Sequence, residues 1–258
     1  MFDTHVNLHA DAFSDDLEDV LARARAAGVT RFLAICDRYD NYERVKAISA
    51  ANPDIWNTVG VHPHHAKDFT DLPVKALIDA ANDPKTVAIG ETGLDFHYGY
   101  SNEADQVAHF RRHITAARET GLPLVVHTRE ADELTGDILE EEHAKGGFQI
   151  LLHCYTGGQD LADRGLQLGA YVSVSGILSF KSAKDVRAVI STVPLDKIIL
   201  ETDCPYLAPV PYRGRRNEPS YLPHVADALS ELKGHTREEI ASICQNNALN
   251  LFKKVART

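Results

Sequence analysis

Apolar segments of strand type alternate with stretches of helical periodicity along the whole chain, and this alternation limits the folds available to it. The predicted strands are 2–8, 30–36, 56–62, 86–91, 122–127, 148–153, 171–177 and 197–203. Predicted helices cover about 14–28, 102–121, 133–144, 160–168, 183–190, 225–232 and 237–252. Eight strands alternating with helices are typical of an α/β (β/α)8 TIM barrel, here a single domain spanning residues 1–258.

An open, doubly wound sheet shows the same alternation and is the main alternative fold. Its dinucleotide-binding members carry a G-x-G-x-x-G turn after the first strand, and the chain has neither that motif nor a P-loop. Polar residues close most of the predicted strands, which is where barrel enzymes place their catalytic side chains. We therefore predict the barrel.

Charge and cysteine content exclude several classes of function. The formal net charge of −10 rules out a uniformly basic surface that coats duplex DNA, although a local basic patch remains open. No apolar run approaches the roughly 20 residues of a membrane span, and the N-terminus lacks the pattern of a secretory signal. The 4 cysteines are far apart and form no CxxC pair. These features predict a cytoplasmic protein without a membrane partner.

Ionisable side chains lie at the carboxyl ends of six predicted strands. A lone histidine or carboxylate in such a place is more often a structural residue or a helix cap. As a set, however, these groups would be costly to gather at one barrel mouth without a compensating cation. Imidazole and carboxylate are ligands for Zn²⁺, Mn²⁺ and Mg²⁺, so the pattern predicts a divalent-metal site. The strand-end residues are His5, Asn7, His62, His64, Glu91, His127, His153 and Asp203.

Side chains alternate between the two faces of a strand, and this alternation predicts which neighbours of these residues face the barrel centre. Glu201 shares a face with Asp203 but lies one layer deeper, so we expect it to accept a proton from a ligating imidazole rather than to bind metal. Cys154 and Cys204 directly follow candidate ligands and are expected to face away from the centre. Neither cysteine is therefore predicted to be a ligand.

Seven segments together resemble the TatD-type metal-dependent deoxyribonucleases, a group of amidohydrolase-like barrels, and the match to the TatD branch is strongest. They are FDTHVNLH, GVHPH (60–64), AIGETGLDF (88–96), PLVVHTRE (123–130), LLHCYTGG (151–158), ETDCPYLAP (201–209) and RRNEP (215–219). The resemblance implies that Glu91 bridges two cations and that His127 and His153 are imidazole ligands. It also implies that Asp203 is both a ligand and the general base.

One position departs from the family pattern. Many relatives begin with a His-x-His pair that binds the second metal, whereas this chain has His5, Val6 and Asn7. An amide oxygen is a weak, neutral ligand, so that metal position is expected to be looser. We keep His5 as a ligand and predict one or two cations per chain, either Mg²⁺ or Mn²⁺, with Zn²⁺ as an alternative.

Candidate substrate-binding residues surround the predicted centre. An arginine-rich loop after the last strand offers guanidinium groups that match phosphate oxygens, although such a loop can also be only a solvated surface. Either His62 or His64 could stabilise the transferring phosphoryl group or protonate the leaving oxygen. Tyrosines in the mouth loops could stack on a terminal base. The arginines are Arg129, Arg213, Arg215 and Arg216, and the tyrosines are Tyr98, Tyr155, Tyr206 and Tyr212.

The sequence thus predicts a metal-dependent nuclease that hydrolyses phosphodiester bonds. The family resemblance implies exonuclease action from the 3′ end of single-stranded or frayed DNA, with RNA as a further substrate. Two alternatives remain: a hydrolase of a small ester, amide or phosphoester on the same barrel, and a non-catalytic binding barrel. The sequence does not determine the oligomeric state, and we favour a monomer.

Overall fold

Eight parallel β-strands form one sheet in the order in which they occur along the chain, in a computed structural model that describes residues 1–255. Each strand pairs in parallel with the next, so the predicted (β/α)8 TIM barrel is confirmed. The strands are β1 (Phe2–Val6), β2 (Arg31–Ala34), β3 (Ile55–Val59), β4 (Thr86–Asp95), β5 (Leu124–Arg129), β6 (Ile150–Leu152), β7 (Tyr171–Val174) and β8 (Ile198–Leu200).

The α-helices connect the strands and cover the outside of the barrel. They are α1 (Leu17–Ala26), α2 (Tyr42–Ala51), α3 (Val74–Ala81), α4 (Glu103–Thr120), α5 (Asp132–Ala144), α6 (Gln159–Gln167), α7 (Lys184–Thr192), α8 (Leu222–Lys233) and α9 (Arg237–Leu251). Helices α2 and α3 were not among the predicted helices, because α3 has only two turns and few residues of α2 are buried. Within residues 1–255, no helix is long and apolar enough to cross a lipid bilayer.

The barrel closes between its first and last strands beyond the point where β8 ends. The Asn7 amide donates a backbone hydrogen bond to Cys204 at 2.9 Å, and the Asp203 amide donates one to His5 at 3.0 Å. The Asn7 side chain also donates to the Cys204 carbonyl, at 3.1 Å. Asn7 thus helps to hold the two ends of the sheet together.

Strand β4 continues four residues beyond its predicted end at Glu91. The residues Thr-Gly-Leu-Asp after Glu91 pair with β5 as far as Asp95. Gly93 permits this, because its φ is +138° and a Cβ there would lie only 2.0 Å from the His127 carbonyl oxygen. The extension places Asp95 beside the predicted centre.

The inward-facing side chains of the strands change from apolar to ionisable towards the barrel mouth. Val125, Leu151 and Ile199 belong to one buried apolar cluster that also contains Phe252, just beyond α9. The residues two positions further along their strands or the following loops are His127, His153 and Glu201. The apolar layer therefore supports a layer of ionisable groups directly above it.

Candidate metal centre

Four imidazoles converge on the buried carboxylate of Glu91. Its Oε1 lies 3.1 Å from His127 Nδ1, 3.4 Å from His153 Nε2 and 3.5 Å from His62 Nε2. Its Oε2 lies 3.2 Å from Nε2 of His5. These side chains come from β1, β4 and β5 and from the loops after β3 and β6. One carboxylate on β4 thus faces ring nitrogens from four other parts of the barrel.

Asp203 completes this group from the loop after β8. Its Oδ1 lies 3.7 Å from Nε2 of His5. Burial raises the pKa of its carboxyl to about 6, although His153 and His5 oppose the shift. The structure therefore brings together all five residues that the sequence proposed as ligands, and it adds His62. Whether they bind metal remains a prediction.

The charges within the cluster depend on one another. Although burial disfavours its charge, the surrounding imidazoles hold the pKa of Glu91 well below its usual range. Burial also opposes protonation of His5 and His127, but neighbouring carboxylates raise the pKa of each to about 9. Burial lowers the pKa of His62 well below its usual value. Two imidazoles therefore carry protons that balance the buried carboxylates.

The donor set fits a divalent cation. Two ligand atoms about 2.1 Å from a shared tetrahedral ion are roughly 3.4 Å apart, and the contacts to Glu91 range from 3.1 to 3.5 Å. His5 is fully buried, and among the described residues neither of its ring nitrogens has a well-directed hydrogen-bond partner. Its ring stacks on that of His153 with centroids 3.6 Å apart. An imidazole that is buried and unsatisfied in this way is suited to a cation.

Glu201 lies behind His153, as its position along the chain predicted. Its Oε1 is 2.9 Å from His153 Nδ1, and its Oε2 accepts a hydrogen bond from Ser173 at 2.6 Å. These contacts leave Nε2 of His153 directed at Glu91. Glu201 therefore sets the orientation of this imidazole.

The predicted orientation of Cys154 is wrong. Its Sγ lies within 4.8 Å of ligand atoms of His153 and Glu201, so it faces the cluster rather than away from it. The reason is local: β6 ends at Leu152, and Cys154 has a φ of +43°, so the alternation of an extended strand no longer applies. Cys204, by contrast, belongs to none of the candidate metal groups found within residues 1–255.

Asp95 is the site residue that the sequence reasoning missed. Its Oδ2 lies 2.9 Å from Nε2 of His64 and 3.1 Å from Nε2 of His127. Its Oδ1 accepts backbone hydrogen bonds from His97 and Tyr98. Asp95 therefore orients one candidate ligand and links it to His64. If the predicted strand is continued through Gly93, alternation places Asp95 on the same face as Glu91, and the sequence then predicts this carboxylate at the barrel mouth.

The sequence profile of the TatD-related DNase family matches residues 2–253. The chain belongs to the TatD family. It is 39% identical to the metal-dependent hydrolase YabD of Bacillus subtilis, over 98% of this chain and 99% of that one. It is 35% identical to the 3′-5′ ssDNA/RNA exonuclease TatD of Pantoea vagans, over 98% and 99% of the two chains.

The fold comparison agrees with this TatD-family assignment. The crystal structure of YJJV, a TatD homolog from Escherichia coli, superposes with a TM-score of 0.89 at 28% identity and covers 98% of both chains. A TatD-family hydrolase from Entamoeba histolytica superposes with a TM-score of 0.86 at 22% identity, covering 99% of this chain and 100% of that one. The protein is thus a TatD-family metal-dependent hydrolase with a TIM-barrel fold.

Arg213, Arg215 and Arg216 all lie in the loop after β8. Their side chains make different contacts. Arg213 and Arg215 are exposed, and their guanidinium groups lie over neighbouring aromatic rings. Both terminal nitrogens of Arg216 contact the Asp16 carboxylate, at 2.8 and 2.6 Å. Arg216 thus joins the loop to the segment before α1, and of these three arginines Arg213 and Arg215 remain candidates for phosphate contacts.

The four tyrosines predicted as candidates for base stacking differ in their exposure and contacts. The prediction is wrong for Tyr155, which is only 2% exposed and donates a hydrogen bond to the Gly158 carbonyl. Tyr212 stacks on Tyr221 with ring centroids 4.1 Å apart. Tyr98 and Tyr206 are exposed at the mouth.

We expect cation binding to this TatD-family protein to release protons and to strengthen as pH rises from about 7 to 9. The pKa values of His5 and His127 are raised to about 9, so both imidazoles are protonated near pH 7 when no metal is bound. A cation must displace these protons to reach the ring nitrogens. Each displaced proton changes the apparent affinity about tenfold per pH unit. Above about pH 9 the imidazoles are neutral, and the effect ends.

Calorimetric titration with Mn²⁺ in two buffers of different ionisation enthalpy measures this proton release. His5→Asn should release about one proton fewer than the wild type under the same conditions. A binding heat that does not depend on the buffer near neutral pH would contradict the prediction.

Proposed function

We propose that the chain is a metal-dependent exonuclease that removes nucleotides from the 3′ end of single-stranded or frayed DNA, with RNA as a second substrate. The observation that carries this proposal is the buried cluster of four imidazoles around Glu91, joined by Asp203. Support for the substrate and the direction comes from relatives named 3′-5′ ssDNA/RNA exonuclease TatD, which are 33–35% identical over almost the whole chain.

In this proposal a divalent cation supplies positive charge that polarises the phosphodiester and balances the negative charge of the transition state. Mg²⁺ or Mn²⁺ is preferred, and Zn²⁺ is the alternative. Glu91 also provides the carboxylate that two cations could share. The residues proposed to hold the metal are Glu91, His127, His153, Asp203, His5 and His62.

Asp203 is proposed as the general base. Its pKa of about 6 in the metal-free protein leaves it mostly ionised at neutral pH, so it can accept a proton from the attacking water. Glu201 and Asp95 act through other groups: Glu201 orients His153, and Asp95 orients His127. The two catalytic carboxylates of the proposal are therefore Asp203 and Glu91.

His64 is proposed to protonate the leaving oxygen. Its Nε2 contacts the Asp95 carboxylate at 2.9 Å, which holds the ring in place at the barrel mouth. Its side chain is more exposed than that of His62, which faces Glu91 instead. Arg213 and Arg215 are proposed to contact the phosphates of the bound strand from the loop after β8.

The test is hydrolysis of a single-stranded oligonucleotide labelled at its 5′ end, with and without a chelator. We expect Mg²⁺ or Mn²⁺ to support progressive shortening from the 3′ end, chelation to stop it, and added metal to restore it. A 3′-labelled copy should release the labelled mononucleotide first. Full activity in chelator would refute metal dependence.

A parallel panel of small esters, amides and phosphoesters separates the proposal from the other hydrolase functions that the same barrel can carry. Hydrolysis of a member of that panel, with no hydrolysis of DNA or RNA in any of the metals, would favour the alternative function. A protein that neither binds metal nor hydrolyses any substrate would indicate a binding barrel.

A further inference from the structure

Two tyrosines of the loop after β4 form an exposed aromatic pair beside the candidate centre. The rings of Tyr98 and Tyr100 are nearly parallel, with an interplanar angle of 7° and centroids 5.3 Å apart. Tyr98 is 49% exposed and Tyr100 is 55% exposed. Large apolar surfaces of this kind are normally buried unless they bind something. We call these two side chains the tyrosine pair.

The tyrosine pair is attached to the candidate centre rather than to a distant surface. The edge of the pair meets His64, whose ring centroid lies 5.3 Å from that of Tyr98 and 4.9 Å from that of Tyr100. Asp95 contacts His64 and His127, and the same carboxylate accepts the backbone N–H of Tyr98. The Asp95 carboxylate thus holds both the backbone of Tyr98 and the side chain of His127, a candidate metal ligand.

A positive charge and a cavity adjoin the tyrosine pair. The guanidinium of Arg129 lies 4.8 Å from the centroid of the Tyr98 ring. The same arginine lines a cavity of about 300 Å³, whose other walls carry hydroxyl groups and carboxylates. The other residues that line it are Thr128, Glu130, Asp132, Thr156 and Gly157. An aromatic surface beside a guanidinium group is suited to a nucleotide, which has an aromatic base and an anionic phosphate.

We propose that the tyrosine pair and Arg129 form a subsite for the unpaired bases next to the scissile phosphate. The proposal rests on the nuclease function proposed above and adds to it the group that selects single-stranded ends. Stacking on tyrosine requires a base whose face is free, and the bases inside a duplex are already stacked on their neighbours. Because every base has a π-face, this subsite accepts all four bases. Arg129 holds the attached phosphate backbone.

The test compares the affinity of the metal-free protein for two single-stranded oligonucleotides, measured by fluorescence anisotropy. One oligonucleotide is intact, and in the other the last three 3′ nucleotides lack their bases. Stacking predicts that wild type binds the intact strand more tightly, by about 5- to 150-fold for each stacked base. In the double variant Tyr98→Ala/Tyr100→Ala this preference should fall close to one. The variant Tyr98→Phe/Tyr100→Phe keeps both rings and should retain it.

The design separates stacking from a general structural role and from the nuclease function. A loop that is merely damaged would weaken binding of both strands and leave their ratio unchanged. A strand without bases at its 5′ end serves as the control and should bind like the intact strand. An unchanged preference in the alanine variant, or no preference in wild type, would overturn the proposal. A third outcome is that the alanine variant loses the preference but wild type shows no metal-dependent hydrolysis. This result would overturn the nuclease function and leave the base subsite standing.

Discussion

Replacing Glu91 with glutamine should lower kcat/KM for single-stranded DNA by at least about a thousandfold and should greatly weaken metal binding. Four imidazoles lie 3.1–3.5 Å from this one carboxylate, and it is the anion that they share. Glutamine keeps the size of the side chain but removes its charge and one acceptor atom. The imidazoles then lack the shared anion that offsets the positive charge of a cation held between them.

Metal content by elemental analysis and metal-induced stabilisation in thermal unfolding test this expectation. Wild type should gain about 2.7 kcal/mol at a metal concentration one hundred times the Kd, and Glu91→Gln should gain almost nothing. Glu201→Gln is the matched control, because Glu201 contacts His153 without facing the cluster centre. It should weaken metal binding by only about 10- to 100-fold. Equal metal affinity in Glu91→Gln and wild type would show that Glu91 is not a ligand.

Replacing Asp203 with asparagine should reduce kcat by about 10²- to 10⁴-fold, because asparagine cannot accept the proton of the attacking water. The substitution is conservative for the backbone, since Asp203 has a φ of +59° and asparagine adopts this left-handed conformation readily. The backbone hydrogen bond from Asp203 to His5 is retained. The loss should therefore come from chemistry rather than from misfolding.

Single-turnover hydrolysis at saturating metal measures this effect, with the metal content of the variant determined in the same samples. Asp37→Asn is the control, since the Asp37 carboxylate contacts His9 at 2.8 Å and lies outside the candidate metal groups found in residues 1–255. We expect Asp37→Asn to lose less than about tenfold in kcat. A similar loss in both variants would show that Asp203 has no special part in proton transfer.

The barrel was predictable because its determinants are local. Apolar strand segments and helix boundary residues repeat along the chain, as at α4, where the Asn102 side chain accepts a hydrogen bond from the Asp105 amide and Gly121 ends the helix with a φ of +69°. The convergence of the strand ends then follows from parallel pairing alone. Side chains at the ends of distant strands are brought together whatever the details of the loops.

The parts that were not predictable depend on backbone irregularities. Asp95 lies beyond the predicted end of β4 at Glu91, and the shift in register that lets β4 continue along β5 is not visible in the sequence. Cys154 faces the cluster because its φ is positive, whereas alternation assumes an extended chain. Arg216 looked available for phosphate because the sequence does not show that Asp16 is its partner. Each error arises where local geometry or a long-range contact overrides the periodicity.

The closure of the barrel between its first and last strands also determines when activity can arise during synthesis. His5 is synthesised well before Asp203 and the segment that pairs with β1. A nascent or prematurely terminated polypeptide that ends before Asp203 therefore lacks one of the two carboxylates that face His5 and cannot assemble the full centre.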